Sequence, residues 1–233
     1  MCSIETRNIC ALVPVKRLGW AKSRLATLLT DAQRVALAEA MLLDVLDALS
    51  LARGLAAIAV VTGDAAVAGI ALRHGAKVIE DPIEDGTNGA VETGLRTLAG
   101  EGWAGALVVP GDVPFLCVRE VEAALTMLRH APVIIVPASR DGGTNLLGLA
   151  PCGAIAPAFG PDSFNRHVAA ARAAGMDPVA LSLDGAGHDI DVPSDLWAEL
   201  GGGPAWRTRA WLSRLGFKEP PAPAARFQEA YLS

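Results

Sequence analysis

Short, unbroken apolar runs alternate along this chain with longer stretches whose apolar residues recur every three or four positions. Runs at residues 9–15, 56–61, 76–80, 106–109, 133–136, 145–149 and 179–183 predict strands. Between the first two, Val35, Ala38, Met41, Leu42, Val45 and Leu49 mark one face of a long helix, for which Thr30 and Asp31 offer N-caps. Further helices are expected at residues 65–74, stopped by Gly75, then at about 88–99, at 118–130 and at 163–174. A short last helix is expected at 194–200, and Gly94 is a mild weakness inside its own helix.

Buried strands alternating with helices of this length predict an α/β domain around a largely parallel sheet. Ligands of such sheets sit outside the carboxyl ends of the strands. The polar clusters of this chain follow Val15, Val61 and Val109, which are those ends. Gly201-Gly202-Gly203-Pro204 breaks the alternation, so residues 1–200 read as the folded domain and residues 201–233 as a basic, proline-containing tail. Prolines at 220, 221 and 223 suggest that the tail is irregular or extended.

Composition narrows the class. A chain of 233 residues with 52% hydrophobic and 19% charged residues can bury roughly 70% of its unfolded surface, enough for one sizeable core. The apolar runs fall far below the ~18 residues a membrane-spanning helix needs, and no secretory signal opens the chain. Cys2, Cys10, Cys117 and Cys152 lack zinc or CxxC spacing, which points to a reduced, cytoplasmic protein. The net charge of −5 argues against a nucleic-acid partner, but it averages unlike regions. The tail sets five cations against two acids, so the acid excess lies in the domain.

Within that acidic domain, Lys16, Arg17, Lys22 and Arg24 stand together in the loop after the first strand. Lysine point charges beside arginine forks suit a polyphosphate, and the position between buried elements favours that over a merely solvated loop. The glycines of a Walker A loop are missing. Asp112 lies in the turn Pro110-Gly111-Asp112-Val113-Pro114, where it could hold a hard cation or simply cap the turn. Asp189 and Asp191 point to one side of an extended segment and could join the same cation, although Asp191 also approaches the helix start at Ser194. Gly86-Thr87-Asn88-Gly89 offers either a base-reading amide or a plain helix cap. Ser139 to Asn145 and Phe159 to Ser163 form two further anion-seeking turns, more than one mononucleotide needs. His74 and His130 suit helix ends, His167 reads as packing or surface, and His188 beside Asp189 is the histidine to watch. The cysteines read as small apolar fillers; Trp206 and Trp211 could clamp the tail to the domain.

The lysine- and arginine-bearing first loop, P-G-D-V-P at 110–114, R-D-G-G-T-N at 140–145, F-G-P-D-S at 159–163 and D-I-D-V-P at 189–193 occur in one order. Together they resemble the guanylyltransferases of coenzyme F420 biosynthesis, which act on 2-phospho-L-lactate, phosphoenolpyruvate or 3-phospho-D-glycerate. The resemblance covers residues 8–200 and leaves 201–233 without a counterpart. Wider relatives, the sugar-nucleotide and molybdopterin-guanine nucleotidyltransferases, usually carry G-x-G-x-R in the first loop, which this chain lacks. A sugar- or molybdopterin-type acceptor, or a nucleotide-binding regulator without turnover, are the competing expectations.

The resemblance implies a GT-A-like, three-layer α/β/α fold with a mixed, mostly parallel sheet. It implies GTP at Val13, Pro14, Lys16, Lys22, Arg24, Gly63, Asn88, Pro110 and Gly111, with Asp112, Lys22 and Arg24 catalytic. It implies Mg²⁺ on Asp112, Asp189 and Asp191. The acceptor would lie at Gly160 and Ser163, with the family's threonine at Thr144 or Asn145. A homodimer and contact with the downstream transferase of the pathway are further expectations; nucleic acid and membrane are not. The acceptor's phosphate would attack the α-phosphorus of GTP. Being mostly dianionic at neutral pH, it needs no general base.

Overall fold

The computed structural model describes residues 8–197 and 205–217. Its centre is a seven-stranded sheet in the order β3-β2-β1-β4-β6-β5-β7. The strands are β1 (Ile9–Pro14), β2 (Ala57–Thr62), β3 (Lys77–Glu80), β4 (Gly105–Val108), β5 (Val133–Pro137), β6 (Thr144–Leu149) and β7 (Val179–Ala180). β1 pairs in parallel with β2 and β4, whereas β6 runs antiparallel to both β4 and β5. The sheet is therefore mixed and mostly parallel, as the resemblance implied. The last expected strand shrinks to two residues beside β5.

Side chains of β1 alternate between two cores. Ile9, Ala11 and Val13 join a layer with α1 (Asp31–Leu51), α2 (Ala65–Arg73) and α4 (Val118–Leu128). Cys10 and Leu12 join the opposite layer with α3 (Gly86–Gly100) and α5 (Ser163–Ala173). This period of two is what a strand covered on both faces requires. Helix starts follow their local chemistry. Thr30 accepts from Gln33 N at 3.3 Å while the Gln33 side chain accepts from Thr30 N at 2.8 Å, a reciprocal cap on α1. Gly75 ends α2 at φ +72°, as expected.

Gly94 is not a weakness. A Cβ there would meet Leu12 Cδ1 at 2.6 Å and Val61 Cγ2 at 2.9 Å, so its absence lets α3 lie close on β1 and β2. α3 also begins two residues earlier than expected, which puts Thr87 and Asn88 inside its first turn. The expected final helix is a 3₁₀ turn, Pro193–Trp197, and its residues 198–200 lie outside the described ones.

The segment beyond the glycine break is also part of this unit. Residues 206–214 form α6 (Trp206–Arg214), whose Leu212 joins the α1 core layer. Buried Asp44 on α1 accepts from Arg207 N at 3.1 Å and Thr208 N at 2.9 Å, capping α6 from another helix. Prolines 220, 221 and 223 fall outside the described residues.

Strands β1 to β3 spread one way from the centre and β4 begins the other side. The crevice between the carboxyl ends of β1 and β4 is thus the switch point where α/β sheets bind ligands.

Candidate active site

Lys22 lies at the centre of that crevice. The chain leaving β1 makes two 3₁₀ turns, Leu18–Trp20 and Ser23–Leu25, with Lys22 between them at φ +55°. A left-handed backbone costs a non-glycine residue roughly 1–2 kcal/mol, and the contacts of its ammonium offset that. Lys22 Nζ stands 2.7 Å from Asp112 Oδ2 and 3.2 Å from Asp191 Oδ1, with only 5% of the side chain exposed. Burial opposes its charge, but the two carboxylates outweigh that and raise its pKa. Arg24 Nη1 reaches the second oxygen of Asp191 at 3.0 Å. Leu18 N donates to Asp64 Oδ2 at 2.9 Å, and Asp64 also caps α2, so the loop is tied to the end of β2.

The carboxylates come from two distant stretches. Asp112 follows β4, and its carbonyl accepts from Ile190 N at 3.3 Å, which fastens the D-I-D segment alongside. Asp195 turns back to accept from the amides of Asp191 and Val192, both at 2.8 Å, and so holds that segment's shape. Asp189 is largely buried; burial first, then the charge of Asp112, pushes its carboxyl pKa up. Asn145 donates to Asp189 at 3.4 Å, and Arg140 lies 3.6 Å from it.

A cavity of about 240 Å³ opens here, walled by Pro14, Lys16 and Lys22 on one side and Pro110, Gly111 and Asp112 on the other, with Asp191 at its edge. Val13, by contrast, is fully buried in the core below. Gly63 packs against the opposite loop: a Cβ there would meet Glu84 Oε1 at 2.6 Å and the Asp81 carbonyl at 2.8 Å. Asn88 gives both ends of its amide to Phe159, accepting from its N–H at 2.6 Å and donating to its carbonyl at 3.0 Å. Its amide therefore joins α3 to the 159–163 turn rather than standing free to read a base.

That turn builds a second cluster. Thr144 and Asn145, adjacent on β6, turn their side chains to different partners. Asn145 goes to Asp189, while Thr144 Oγ1 lies 3.2 Å from Ser163 Oγ and 3.0 Å from His167 Nδ1. Gly160, at φ +117°, shapes the turn between them. Of the two candidates for the family's threonine position, Thr144 is the one gathered with Ser163.

Sequence reasoning missed three contributors. Trp20 lines the cavity although 69% of it is exposed. Glu84, itself at φ +53°, binds Arg17 Nε at 2.8 Å and braces the first loop from across the crevice. His167, read as packing or surface, is fully buried and hydrogen bonded through both nitrogens. Only a buried polar position on the inner face of α5 could have signalled it. His188 faces the Asp184 carbonyl at 2.5 Å instead of the carboxylates.

Among the described residues no three or more acidic, histidine or cysteine side chains form a ready-made metal cage. The donor chemistry nevertheless fits a hard cation. Asp112, Asp189 and Asp191 offer only oxygens, burial and then the charge of Asp112 raise the pKa of Asp189, and Lys22 already draws Asp112 and Asp191 together. The buried thiols of Cys10 and Cys152 do not contribute: burial pushes Cys10 up to about 12 and also raises Cys152.

This mixed sheet with its switch-point cavity has the nucleotide-diphospho-sugar transferase fold. A Desulfovibrio desulfuricans structure described as a nucleotide-diphospho-sugar transferase superposes with TM-score 0.67 at 17% identity, over 88% of this chain and 97% of that one. At that identity the likeness shows the fold. The model of the family "Guanylyl transferase CofC like" matches residues 9–230, and the chain belongs to that family. The match runs through the C-terminal segment, which corrects the expectation that residues 201–233 have no counterpart.

Its relatives include the 3-phospho-D-glycerate guanylyltransferase of Phenylobacterium zucineum, 41% identical over 86% of this chain and 93% of that protein. The phosphoenolpyruvate guanylyltransferase of Sphaerobacter thermophilus is 38% identical over 82% and 92%. The 2-phospho-L-lactate guanylyltransferase of Methanothermobacter thermautotrophicus is 34% identical over 91% and 93%. The chain is thus a guanylyltransferase-family enzyme. No helix among its described residues is long and apolar enough to cross a membrane.

Proposed function

We propose that this enzyme transfers GMP from GTP to the phosphate of a small phosphorylated carboxylic acid and releases pyrophosphate, as a cytoplasmic step of coenzyme F420 biosynthesis. The observation that carries the reading is the pairing of Lys22 and Arg24 with Asp112 and Asp191 beside the cavity. Asn145 and Asp189 link that group to the separate Thr144–Ser163 cluster. Three relatives with three different acceptors leave the acceptor at the level of its class.

An acceptor phosphate oxygen forms a bond to the α-phosphorus, and the α–β bridging P–O bond breaks with its electron pair leaving on pyrophosphate. The acceptor phosphate is already mostly dianionic, so no side chain has to remove a proton. The difficulty is bringing two anions together, and the protein answers it with fixed charge. Lys16 and Lys22 line the cavity that seats the triphosphate, Arg24 reinforces them through Asp191, and the backbone at Pro14, Pro110 and Gly111 shapes the seat. Gly63 and Asn88 serve indirectly, by closing loops around the nucleoside. Asp112 with Asp189 and Asp191 would hold Mg²⁺, which supplies further charge neutralisation on the phosphates. The hydroxyls of Thr144 and Ser163 and the backbone at Gly160 take the acceptor's anionic groups.

Pyrophosphate release, measured with GTP, ATP or CTP against the three acceptors in Mg²⁺, tests this. Release is expected with GTP and at least one acceptor; none with any combination refutes it. Asp112→Asn should lower kcat by roughly 10²–10³ with an unchanged circular dichroism spectrum. Full activity of that variant at saturating Mg²⁺ would remove Asp112 from the metal site.

A further inference from the structure

His167 sits fully buried behind the Thr144–Ser163 pair, and its two ring nitrogens face different kinds of partner. Nε2 lies 2.9 Å from the backbone N of Ala158. A backbone N–H can only donate, so Nε2 must present its lone pair. Burial, with Arg166 adding to it, lowers the imidazole pKa to about 4, so the ring is neutral at physiological pH and its single proton is on Nδ1. Nδ1 therefore donates to Thr144 Oγ1 at 3.0 Å.

The direction of that one bond decides what the hydroxyl pair can offer. Thr144 and Ser163 hold two hydroxyl protons, and the 3.2 Å contact between them uses one. Because the imidazole gives a proton to this buried pair, the second hydroxyl proton is left without an acceptor inside it. With the opposite tautomer Nδ1 would accept, both protons would be used internally, and the pair would face a ligand with lone pairs only. Lone pairs repel a carboxylate or phosphate; a donor binds it. The ring is held firmly in this role, packed edge-on to Phe159 with centroids 5.1 Å apart, while Phe159 is itself clasped by Asn88.

We infer that His167 is a positioning residue for the acceptor: Ala158 N–H sets its tautomer, and the tautomer makes the Thr144–Ser163 pair a hydrogen-bond donor to an anionic group of the substrate. This rests on the reading that the pair lies at the acceptor site.

Two variants split the two bonds. In His167→Asn the amide nitrogen takes the place of Nδ1 and keeps the donor to Thr144, but loses the acceptor for Ala158. In His167→Gln the amide oxygen takes the place of Nε2 and keeps the Ala158 bond, but loses the donor. The expected result is an acceptor KM raised about tenfold to a hundredfold in His167→Gln. His167→Asn should stay within about threefold of wild type despite a lower Tm, and the GTP KM should stay unchanged in both. Nitrogen-15 NMR of wild type should show the Nδ1–H tautomer at pH 7. An Nε2–H signal, equal acceptor KM in the two variants, or a larger defect in His167→Asn would overturn the inference. Absence of GMP transfer by wild type to any acceptor would instead strike the reading beneath it, while the NMR assignment would still stand or fall alone.

Discussion

Replacing Lys22 with methionine removes one cation from between two carboxylates and leaves the volume of the side chain nearly intact. At an effective dielectric of about 20 the ammonium attracts Asp112 at 2.7 Å by ~6 kcal/mol and Asp191 at 3.2 Å by ~5 kcal/mol. Burying the ammonium cancels most of that. Breaking a buried pair typically costs 3–5 kcal/mol. Here 36% and 32% of the two carboxylate side chains remain exposed and can be resolvated, which places the loss at about 2–3 kcal/mol. For a domain of this size that corresponds to a Tm lowered by about 4–12 °C. The site itself supplies the internal control. A Mg²⁺ ion held by these carboxylates, as proposed, would neutralise the same charges, so in Lys22→Met it should raise Tm more than it does in wild type. Scanning calorimetry of both proteins in EDTA and in millimolar Mg²⁺ reads the effect without any turnover. A variant within 1 °C of wild type in EDTA, with the same Mg²⁺ response, would refute the electrostatic account of this cluster.

Three further outcomes follow from buried contacts. Asp44→Ala removes the acceptor of two amides at the start of α6 and should destabilise the protein by about 2–3 kcal/mol; limited trypsin digestion should then cut at Arg207 or Arg209 well before the core. Gly94→Ala should destabilise by about 1–3 kcal/mol in urea, although alanine is the better helix former; a stabilised variant would show that α3 can shift off β1. The third concerns pH. The His167 pKa is about 4 when folded against 6.5 when unfolded, so the unfolded chain binds more protons between those values. Stability should therefore fall as pH drops from 6.5 toward 4, by up to about 3 kcal/mol, and wild type minus His167→Asn should carry that slope in urea titrations.

Much of this was legible along the chain because it depends on neighbours in sequence. The period of apolar residues placed all seven strands, the last shorter than expected, and the main helices. Thr30 and Gly75 mark helix ends because caps are local hydrogen bonds and local backbone conformations. The cations of the first loop and Asp112 were visible at strand ends and the acids at 189 and 191 on an extended segment, and the order of these motifs pointed to the family.

What lay outside its reach depends on pairs far apart. The antiparallel course of β6 is set by its partners β4 and β5, and it alone decides that Thr144 and Asn145 emerge at the site edge of the sheet. Lys22 was legible as a loop cation and a candidate for binding phosphate. That it is buried between Asp112 and Asp191, 90 and 169 residues away, follows only from the folded chain. Gly94 looked like a helix defect until Leu12 and Val61 stood against it, and residues 205–217 looked like a tail until Asp44 capped their helix. Sequence by itself determined which local structures and chemical groups this protein has. Tertiary structure decided which groups share a proton or a charge, because those energies vary with distances that only packing sets.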